Sequence, residues 1–164
     1  MVVTVLVVKY MNNKKHWTLT EEKTKVVVKP WGNGIINGIE SVGELWLNYE
    51  SDEKVGDNEK RYVFKKLYVK AGTRMSLQYH INKLETNHLI SGEAEAWLEN
   101  ESGEIEKSFV QSGDTWTIPC GRKHRIIAIT DMIMLEASTP EVDDVIRIED
   151  DTNRPNGRIE TEHK

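Results

Sequence analysis

Short runs of β-branched and aromatic residues, separated by turn signals, extend along most of this chain of 164 residues. No long window keeps the periodicity of about 3.6 residues that an amphipathic helix shows. Short runs bounded by Gly, Pro, Asn and Asp are typical of strands. Residues 31–38 and 51–60 are predicted loops. The pattern predicts strands at residues 2–9, 23–28, 43–49, 62–69, 76–79, 85–91, 93–99, 104–110, 115–118, 124–130 and 132–138.

This pattern predicts an all-β fold, in which two sheets form a jelly-roll barrel with room for a small ligand at its mouth. The length suits a single domain that buries most of its unfolded surface. The single cysteine, Cys120, excludes an internal disulfide framework and favours a reducing, cytoplasmic location. Cys120 lies in a turn with no evident base beside it, so it is a poor candidate for a nucleophile.

Charge and hydropathy exclude two classes of partner. The formal net charge of −5 argues against nucleic acid, which usually binds a basic surface. No segment reaches the run of about 18 apolar residues that spans a bilayer, so no membrane partner is expected. The opening MVVTVLVV has no positive flank and no cleavage site, and it is interpreted as a strand. A small molecule is the expected ligand.

Residues 72–92, GTRMSLQYHINKLETNHLISG, concentrate side chains that bind metals. On a strand, Gln78 and His80 lie on one face because side chains alternate with a period of two. A short turn over residues 81–84 then lets Glu85 open a second strand, which we expect to return beside the first. Its carboxylate can face Gln78 and His80. His88 falls on the opposite face and is expected to be exposed and non-ligating.

Residues 113–124, GDTWTIPCGRKH, supply a fourth candidate ligand, His124. Pro119 and Gly121 mark a turn, and His124 begins an apolar run typical of a buried strand, on which Arg125 should point outward. An amide oxygen, two imidazoles and a carboxylate suit a divalent transition metal. Zinc is the first expectation, with manganese, iron, cobalt and nickel as alternatives. The competing interpretation is that these histidines only fill the core or lie on the surface.

The spacing of these residues resembles that of the cupin superfamily. Its first motif is matched by Gly72, His80, Glu85 and Gly92, with Gln78 where the family has its first histidine. Its second motif is matched by Gly113, Pro119, Gly121 and His124, with Ala128 where the family has asparagine. The resemblance implies a double-stranded β-helix, which is the jelly-roll barrel of cupins, and a ligand set of Gln78, His80, Glu85 and His124.

Within cupins, the chain looks like the domain of bacterial mannose-6-phosphate isomerases. The Gln-x-His pair is similar to their metal set, KPWG at 29–32 resembles their opening, and DDVIRIEDD at 143–151 resembles their close. Those domains usually read QYHHHRSEHW where this chain reads QYHINKLETN. The resemblance implies a cupin domain over residues 29–153. Residues 1–28 are then strands that pair with the barrel or a partner subunit, and residues 154–164 form a polar tail.

The resemblance also implies a function. The leading expectation is metal-dependent interconversion of mannose 6-phosphate and fructose 6-phosphate, or a closely related reaction, through an enediol. No residue carries a motif that marks the catalytic base. The alternative is a non-catalytic module that binds a sugar or a nucleotide sugar. A dioxygenase is the third hypothesis, from which Gln78 departs because such sites commonly use three histidines and a glutamate.

Candidates for contact with a sugar or sugar phosphate come from the same two stretches. Arg74, Lys83 and Arg122 can pair with a phosphate group, although solvated surface charges are the competing interpretation. Trp116 is preferred over Trp31 and Trp46 as the aromatic that stacks on a sugar ring, although such residues often fill a β core. A homodimer is expected, because the resemblance and the predicted strand at residues 2–9 suggest strand pairing across a two-fold axis.

Overall fold

The computed structural model describes residues 25–48, 54–55, 58–59 and 62–159. Over these residues the chain forms strands and loops, with no helix that could cross a membrane. The predicted strand at residues 2–9 lies outside the described residues. The strands are β1 (Lys25–Val28), β2 (Gly34–Ile36), β3 (Ile39–Asn48), β4 (Lys54–Val55), β5 (Asn58–Glu59), β6 (Val63–Val69), β7 (Leu77–His80), β8 (Glu85–Ser91), β9 (Glu93–Glu99), β10 (Ile105–Gln111), β11 (Thr115–Ile118), β12 (His124–Ala128), β13 (Met132–Ser138), β14 (Val145–Glu149) and β15 (Gly157–Arg158).

Two antiparallel sheets make up the barrel. The seven-stranded sheet has the order β1-β3-β6-β13-β8-β11, with β2 paired to β3, and the six-stranded sheet has the order β10-β9-β12-β7-β14-β15. β4 and β5 form a separate two-stranded antiparallel sheet. The predicted all-β jelly roll is confirmed.

The core lies between the two sheets and follows from period-two alternation. In β6 every second residue is buried, from Val63 to Val69, and β13 shows the same alternation. The buried apolar cluster draws Leu67, Val69, Leu89, Met132 and Met134 from the seven-stranded sheet and Ala94, Ala96, Ile126 and Ala128 from the six-stranded one. Packing of these two inner faces holds the sheets together.

The strands on either side of the first metal motif belong to different sheets. β7 pairs with β12 and β14, whereas β8 pairs with β13 and β11. The expectation that the strand of Glu85 returns beside that of His80 is therefore wrong. The turn at residues 81–84 carries the chain across the barrel mouth, and Glu85 faces His80 from the opposite sheet. Local turn signals do not distinguish a hairpin from such a crossing.

Gly92 shows why the first motif ends in glycine. It has a φ of 95°, and a Cβ added there would come within 2.5 Å of the backbone oxygen of Asp131. Only glycine combines this backbone conformation with so close an approach. The position lets β8 turn directly into β9 and so cross from one sheet to the other.

Three segments contain strands that the sequence pattern did not predict. The predicted loop at residues 51–60 contains β4 and β5, which pair antiparallel with each other. The predicted loop at residues 31–38 includes β2, which forms a hairpin with β3 through Asn37 and Gly38, both at positive φ. Near the other end, β14 pairs with β7, and residues 157–158 of the predicted polar tail form β15 against β14. The Ile159 amide also donates to the Val145 carbonyl. The structure therefore continues the six-stranded sheet past residue 153.

Candidate metal centre

Three of the predicted ligands converge from the two sheets. His80 ends β7 and His124 begins β12 in the six-stranded sheet, whereas Glu85 begins β8 in the seven-stranded sheet. His80 Nε2 lies 3.7 Å from Glu85 Oε2, and His124 Nε2 lies 3.8 Å from Glu85 Oε1. One ligand atom from each residue lies within 4.8 Å of the other two, a separation at which the three can hold a metal ion.

Both imidazoles are fixed through their Nδ1 atoms, which leaves Nε2 directed at the shared site. His80 Nδ1 lies 3.0 Å from Asp144 Oδ1, and His124 Nδ1 lies 3.0 Å from the Arg122 carbonyl oxygen, to which it donates. Asp144 is itself held by the backbone amides of Asn82 and Lys83. Carboxylate and carbonyl partners of this kind orient the histidines of metal sites. His80 Nε2 is buried and has no hydrogen-bond partner among the described residues, as expected for a ligand atom.

The protonation states also suit metal binding. Burial, with a contribution from the nearby Lys83 ammonium, lowers the pKa of His80 to about 4, so its imidazole is neutral near pH 7. Burial raises the pKa of Glu85, but the attraction of Lys83 and His124 outweighs burial and holds that pKa well below its usual range. A neutral imidazole and an ionised carboxylate are the forms that coordinate metals.

Lys83 is a buried cation that lies directly beside the ligand Glu85. Its ammonium donates to Glu85 Oε2 and, at 2.6 Å, to Glu136 Oε1, and the side chain is buried. Burial alone lowers the pKa of Lys83, but Glu136 and Glu85 together raise it above its ordinary value. Lys83 therefore lines the cavity, as a residue that contacts substrate would, and its ammonium is already paired with the carboxylate that faces both histidines.

A chain of buried ion pairs continues from Lys83 across the inner face of the seven-stranded sheet. Lys65 bridges Glu136 at 3.6 Å and Glu44 at 3.5 Å, and Lys29 approaches Glu44 at 3.3 Å. Lys29 lies in the KPWG motif, and no motif or predicted site marks Glu44, Lys65 or Glu136. One signal was available, because Lys65 occupies an inward position between Val63 and Leu67 in a strand of period-two alternation.

Gln78 lies beside the trio. It is the residue of β7 that faces His124 in the strand register, it lines the same cavity, and its Oε1 accepts a hydrogen bond of 2.7 Å from Ser76 Oγ. This places Gln78 next to one of the two imidazoles. His88 lies on the other side of β8, where its Nδ1 is 2.8 Å from Thr115 Oγ1 on the neighbouring strand.

The other predicted contact residues lie outside the cavity lining. Arg74 is partly exposed and pairs with Asp151 at 3.3 Å. The Arg122 guanidinium donates to the Asn100 carbonyl, and Trp116 packs against the apolar core. Trp31, which the sequence analysis ranked below Trp116 for contact with a sugar, lines the cavity.

Arg125 also departs from the expectation of an outward, solvated charge. It is 1% exposed, its guanidinium lies 5.8 Å from the ring centre of Trp97, and it pairs with Glu149 at 3.1 Å and with Asp151 at 3.2 Å. A single strand pattern predicts which way a side chain leaves the sheet but not what covers it. Here the segment that follows β14 provides the cover.

The trio opens into a cavity of about 700 Å³, including its solvent-filled mouth. Apolar and polar side chains from both sheets line it, as is typical of small-molecule sites. Besides the ligands and Gln78, its lining includes Trp31, Asn87, Ile118, Met134, Val145 and Arg154. The residues present therefore suit a divalent transition metal with a small ligand beside it.

A jelly-roll barrel with a buried His-Glu-His group between its two sheets defines a cupin domain. The sequence profile of the family described as mannose-6-phosphate isomerase C-terminal matches residues 12–150. The chain therefore belongs to the mannose-6-phosphate isomerase C-terminal family. The comparison with curated proteins finds no match.

Solved structures support the fold. The capsular polysaccharide assembling protein CapF from Staphylococcus aureus is 18% identical with a TM-score of 0.58, over 77% of this chain and 32% of that chain. A single-residue variant of oxalate decarboxylase from Bacillus subtilis is 20% identical with a TM-score of 0.54, over 72% of this chain and 28% of that chain. The chain thus spans about a third or less of the length of these two relatives, and at such identities the likeness shows the fold alone.

Proposed function

We propose that this chain is a metal-dependent isomerase domain that interconverts mannose 6-phosphate and fructose 6-phosphate, or a closely related aldose and ketose. The observation that carries the proposal is the buried trio of His80, Glu85 and His124, whose two Nε2 atoms face one carboxylate. Membership of the mannose-6-phosphate isomerase C-terminal family supports the choice of reaction. A cytoplasmic homodimer completes the proposal.

His80, Glu85 and His124 would hold the metal, with Gln78 as the fourth protein ligand. When bound, a divalent metal polarises the carbonyl and hydroxyl oxygens of an open-chain sugar as a Lewis acid. Zinc is our first expectation, because it combines readily with imidazole and carboxylate ligands. Manganese, iron, cobalt and nickel accept the same donors.

The chain's own residues prepare this site in three ways. Asp144 and the Arg122 carbonyl hold the two imidazoles with Nε2 directed inward. Lys83 keeps Glu85 ionised, and the barrel walls exclude bulk water from the buried trio. Such preorganisation reduces the rearrangement needed when metal and sugar bind.

A non-catalytic sugar-binding module is the second candidate, and one observation favours it. Among the described residues, the glutamates that line the cavity are Glu44, Glu85 and Glu136, and each is paired with a buried lysine. An isomerase needs a group that takes a proton from the sugar, and each of these carboxylates already interacts with an ammonium. In this alternative, the same cavity binds a sugar without converting it.

The decisive experiment measures metal content and turnover on the same preparations. The wild-type protein is compared with the Gln78→Ala, His80→Ala double variant, and His88→Ala serves as the matched control because His88 lies on the outer side of β8. We expect about one metal per chain in the wild type and in the control, and loss of metal in the double variant. Conversion of mannose 6-phosphate should follow the metal.

The outcomes separate the two candidates. Stoichiometric metal with conversion supports the isomerase. Stoichiometric metal without conversion of any aldose supports the binding module. A wild-type protein that takes up none of the five metals refutes the metal-dependent isomerase.

A further inference from the structure

We propose that Glu136 is the catalytic base of the cavity, the group that carries a proton between C2 and C1 of an open-chain sugar phosphate. This inference deepens the proposed function and rests on it, because it assigns a residue to the proton transfer that an aldose–ketose isomerase requires. Two observations on the described residues carry it. The other carboxylates of the cavity have both oxygens engaged, whereas one oxygen of Glu136 remains for a ligand.

Three carboxylates line the cavity among the described residues, and two of them already have a role. Glu85 faces both imidazoles and is a candidate metal ligand. Glu44 uses both of its oxygens, because Oε1 lies 3.3 Å from Lys29 Nζ and Oε2 accepts a hydrogen bond of 2.7 Å from Trp46 Nε1. Glu136 is the remaining carboxylate.

The two oxygens of Glu136 have different surroundings. Oε1 accepts a hydrogen bond of 2.6 Å from Lys83 Nζ, and Lys65 Nζ lies 3.6 Å from the same oxygen. Oε2 has no hydrogen bond to the described residues, and protein atoms do not seal it as they seal Asn87 Oδ1. The side chain is 8% exposed and lines the cavity. The lysines therefore anchor the carboxylate through one oxygen and leave the other within reach of a ligand.

Glu136 also lies close to the metal trio. The Lys83 ammonium donates to both Glu85 and Glu136, so two hydrogen bonds separate these carboxylates, a span of about 6 Å at most. Asn87, two residues after Glu85, is the register partner of Glu136 on the neighbouring strand. A sugar bound beside Glu85 therefore also lies beside Glu136, as a base must lie beside the carbon from which it takes a proton.

The proton transfer needs no oxidant, reductant or other co-reactant. Glu136 Oε2 takes the proton from C2, the electron pair of the C2–H bond forms a C1=C2 double bond, and the C1 carbonyl pair moves onto its oxygen. The resulting enediolate takes the proton back from Glu136 at C1. The proton of the C2 hydroxyl passes to the oxygen on C1 as the C2 carbonyl forms. The aldose has then become the ketose, and Glu136 is again a carboxylate.

The test compares zinc-loaded Glu136→Gln with the zinc-loaded wild type in D2O. The amide resembles the carboxylate in shape but does not take a proton from C2, and Lys83 and Lys65 keep Glu85 and Glu44 as partners. We expect conversion of mannose 6-phosphate to be at least about a hundredfold slower, the lower end of what general acid–base catalysis contributes. Deuterium uptake at C2 of the recovered sugar, measured by NMR, should fall equally.

Two measurements separate a catalytic role from a structural one. The zinc content of Glu136→Gln should equal that of the wild type. Its calorimetric affinity for mannitol phosphate, the reduced and non-isomerisable sugar, should stay within about threefold. Glu136→Asp keeps a carboxylate on a shorter side chain and should recover part of the lost rate. Glu95→Gln is the matched control and should leave conversion unchanged, because Glu95 accepts from Trp97 Nε1 away from the cavity lining.

Three results would overturn the inference: a Glu136→Gln rate within about threefold of wild type, a loss of zinc from this variant, or a loss of its affinity for mannitol phosphate. Failure of the proposed function gives a different pattern. If the wild type takes up deuterium at C2 without forming ketose, and Glu136→Gln takes up none, Glu136 stands as the base and the isomerase activity does not. A wild type that neither exchanges nor converts the sugar refutes both.

Discussion

The barrel interior has an apolar end and a charged end, and the same strands contribute to both. On β13, Met132 and Met134 face the apolar cluster, whereas Glu136 joins the ion pairs. On β8, Leu89 lies at the apolar end and Glu85 at the charged end. The difference shows that the inward-facing residues of one strand can pack in the apolar core at one end and form buried ion pairs at the other.

The two ends contribute differently to stability. Burial of apolar surface stabilises the fold by about 25 cal/mol per Å², so the apolar end supplies the driving force for folding. At the charged end, desolvation of buried ions offsets most of their attraction, and such pairs often add no net stability. The charged end is therefore expected to add little net stability, and the apolar end supplies most of it. Substitutions at the two ends should separate stability from metal binding.

The largest effect is expected from Lys83→Met at the charged end. Glu85 and Glu136 would lose their shared ammonium, and a buried ion left without its partner costs about 3–5 kcal/mol. Urea denaturation of the metal-free protein should show a free energy of unfolding lower by about 4 kcal/mol. Lys70→Met, at an exposed position, is the control and should change it by less than about 0.5 kcal/mol. A loss below about 1 kcal/mol for Lys83→Met would contradict the role assigned to this pairing.

Leu89→Ala tests the apolar end. Leu89 is fully buried, and such truncations cost about 2–5 kcal/mol through lost burial and the cavity that remains. We expect the free energy of unfolding to fall by about 3 kcal/mol in denaturant titrations. Metal content after zinc loading should stay at the wild-type value. If metal content falls with stability, the two ends are not separable.

The pH dependence of stability should originate at the charged end. The pKa of His80 is about 4 in the folded protein against about 6.5 when unfolded, so the unfolded state binds the proton more readily between these values. The contribution of His80 to stability is therefore fully present above pH 6.5 and is lost as the pH falls towards 4. In the metal-free protein the loss amounts to about 2 kcal/mol at about pH 5.

His80→Asn should remove most of this slope, and Leu89→Ala should keep it. Both are measured as free energies of unfolding from urea titrations between about pH 7 and about pH 5. An unchanged slope in His80→Asn would mean that another group carries the pH dependence.

The smallest effect is expected from Met134→Leu, which lies where the apolar end meets the cavity. A swap that nearly conserves volume in a core usually costs less than about 1.5 kcal/mol. We expect a loss of about 1 kcal/mol in the free energy of unfolding, with metal content unchanged. A loss as large as that of Leu89→Ala would show that the boundary is packed as tightly as the apolar cluster.

The sequence predicted the strands that carry clear alternation, among them β6, β8 and β9, because alternation is a local property. It missed β2, which lies within a glycine-rich segment that also carries turn signals. It also missed β14, whose residues lie within the DDVIRIEDD motif. The sequence predicted two strands for the first metal motif. Only the tertiary structure showed that these strands, β7 and β8, belong to the two facing sheets.

Burial of charge was the least predictable property. The sequence predicted an outward-pointing Arg125 and a Lys83 that contacts ligand or solvent. Both are buried, and each pairs with a carboxylate from a distant segment. Partners such as Glu136 and Glu149 are far away in the chain, so no local pattern links them. The sequence also favoured Trp116 over Trp31 for the cavity, whereas Trp31 lines the cavity and Trp116 packs against the apolar core. This placement too depends on contacts between residues far apart in the chain.

The sequence by itself determined the β architecture, the family and the identity of the candidate ligands, because these depend on periodicity and on residue types at set spacings. Only the tertiary structure decided that Glu85 faces His80 and His124 from the opposite sheet, that three lysines neutralise the buried glutamates, and that Trp31 and Asn87 line the cavity. The physical reason is that pairing between sheets and burial of charge depend on contacts between residues far apart in the chain.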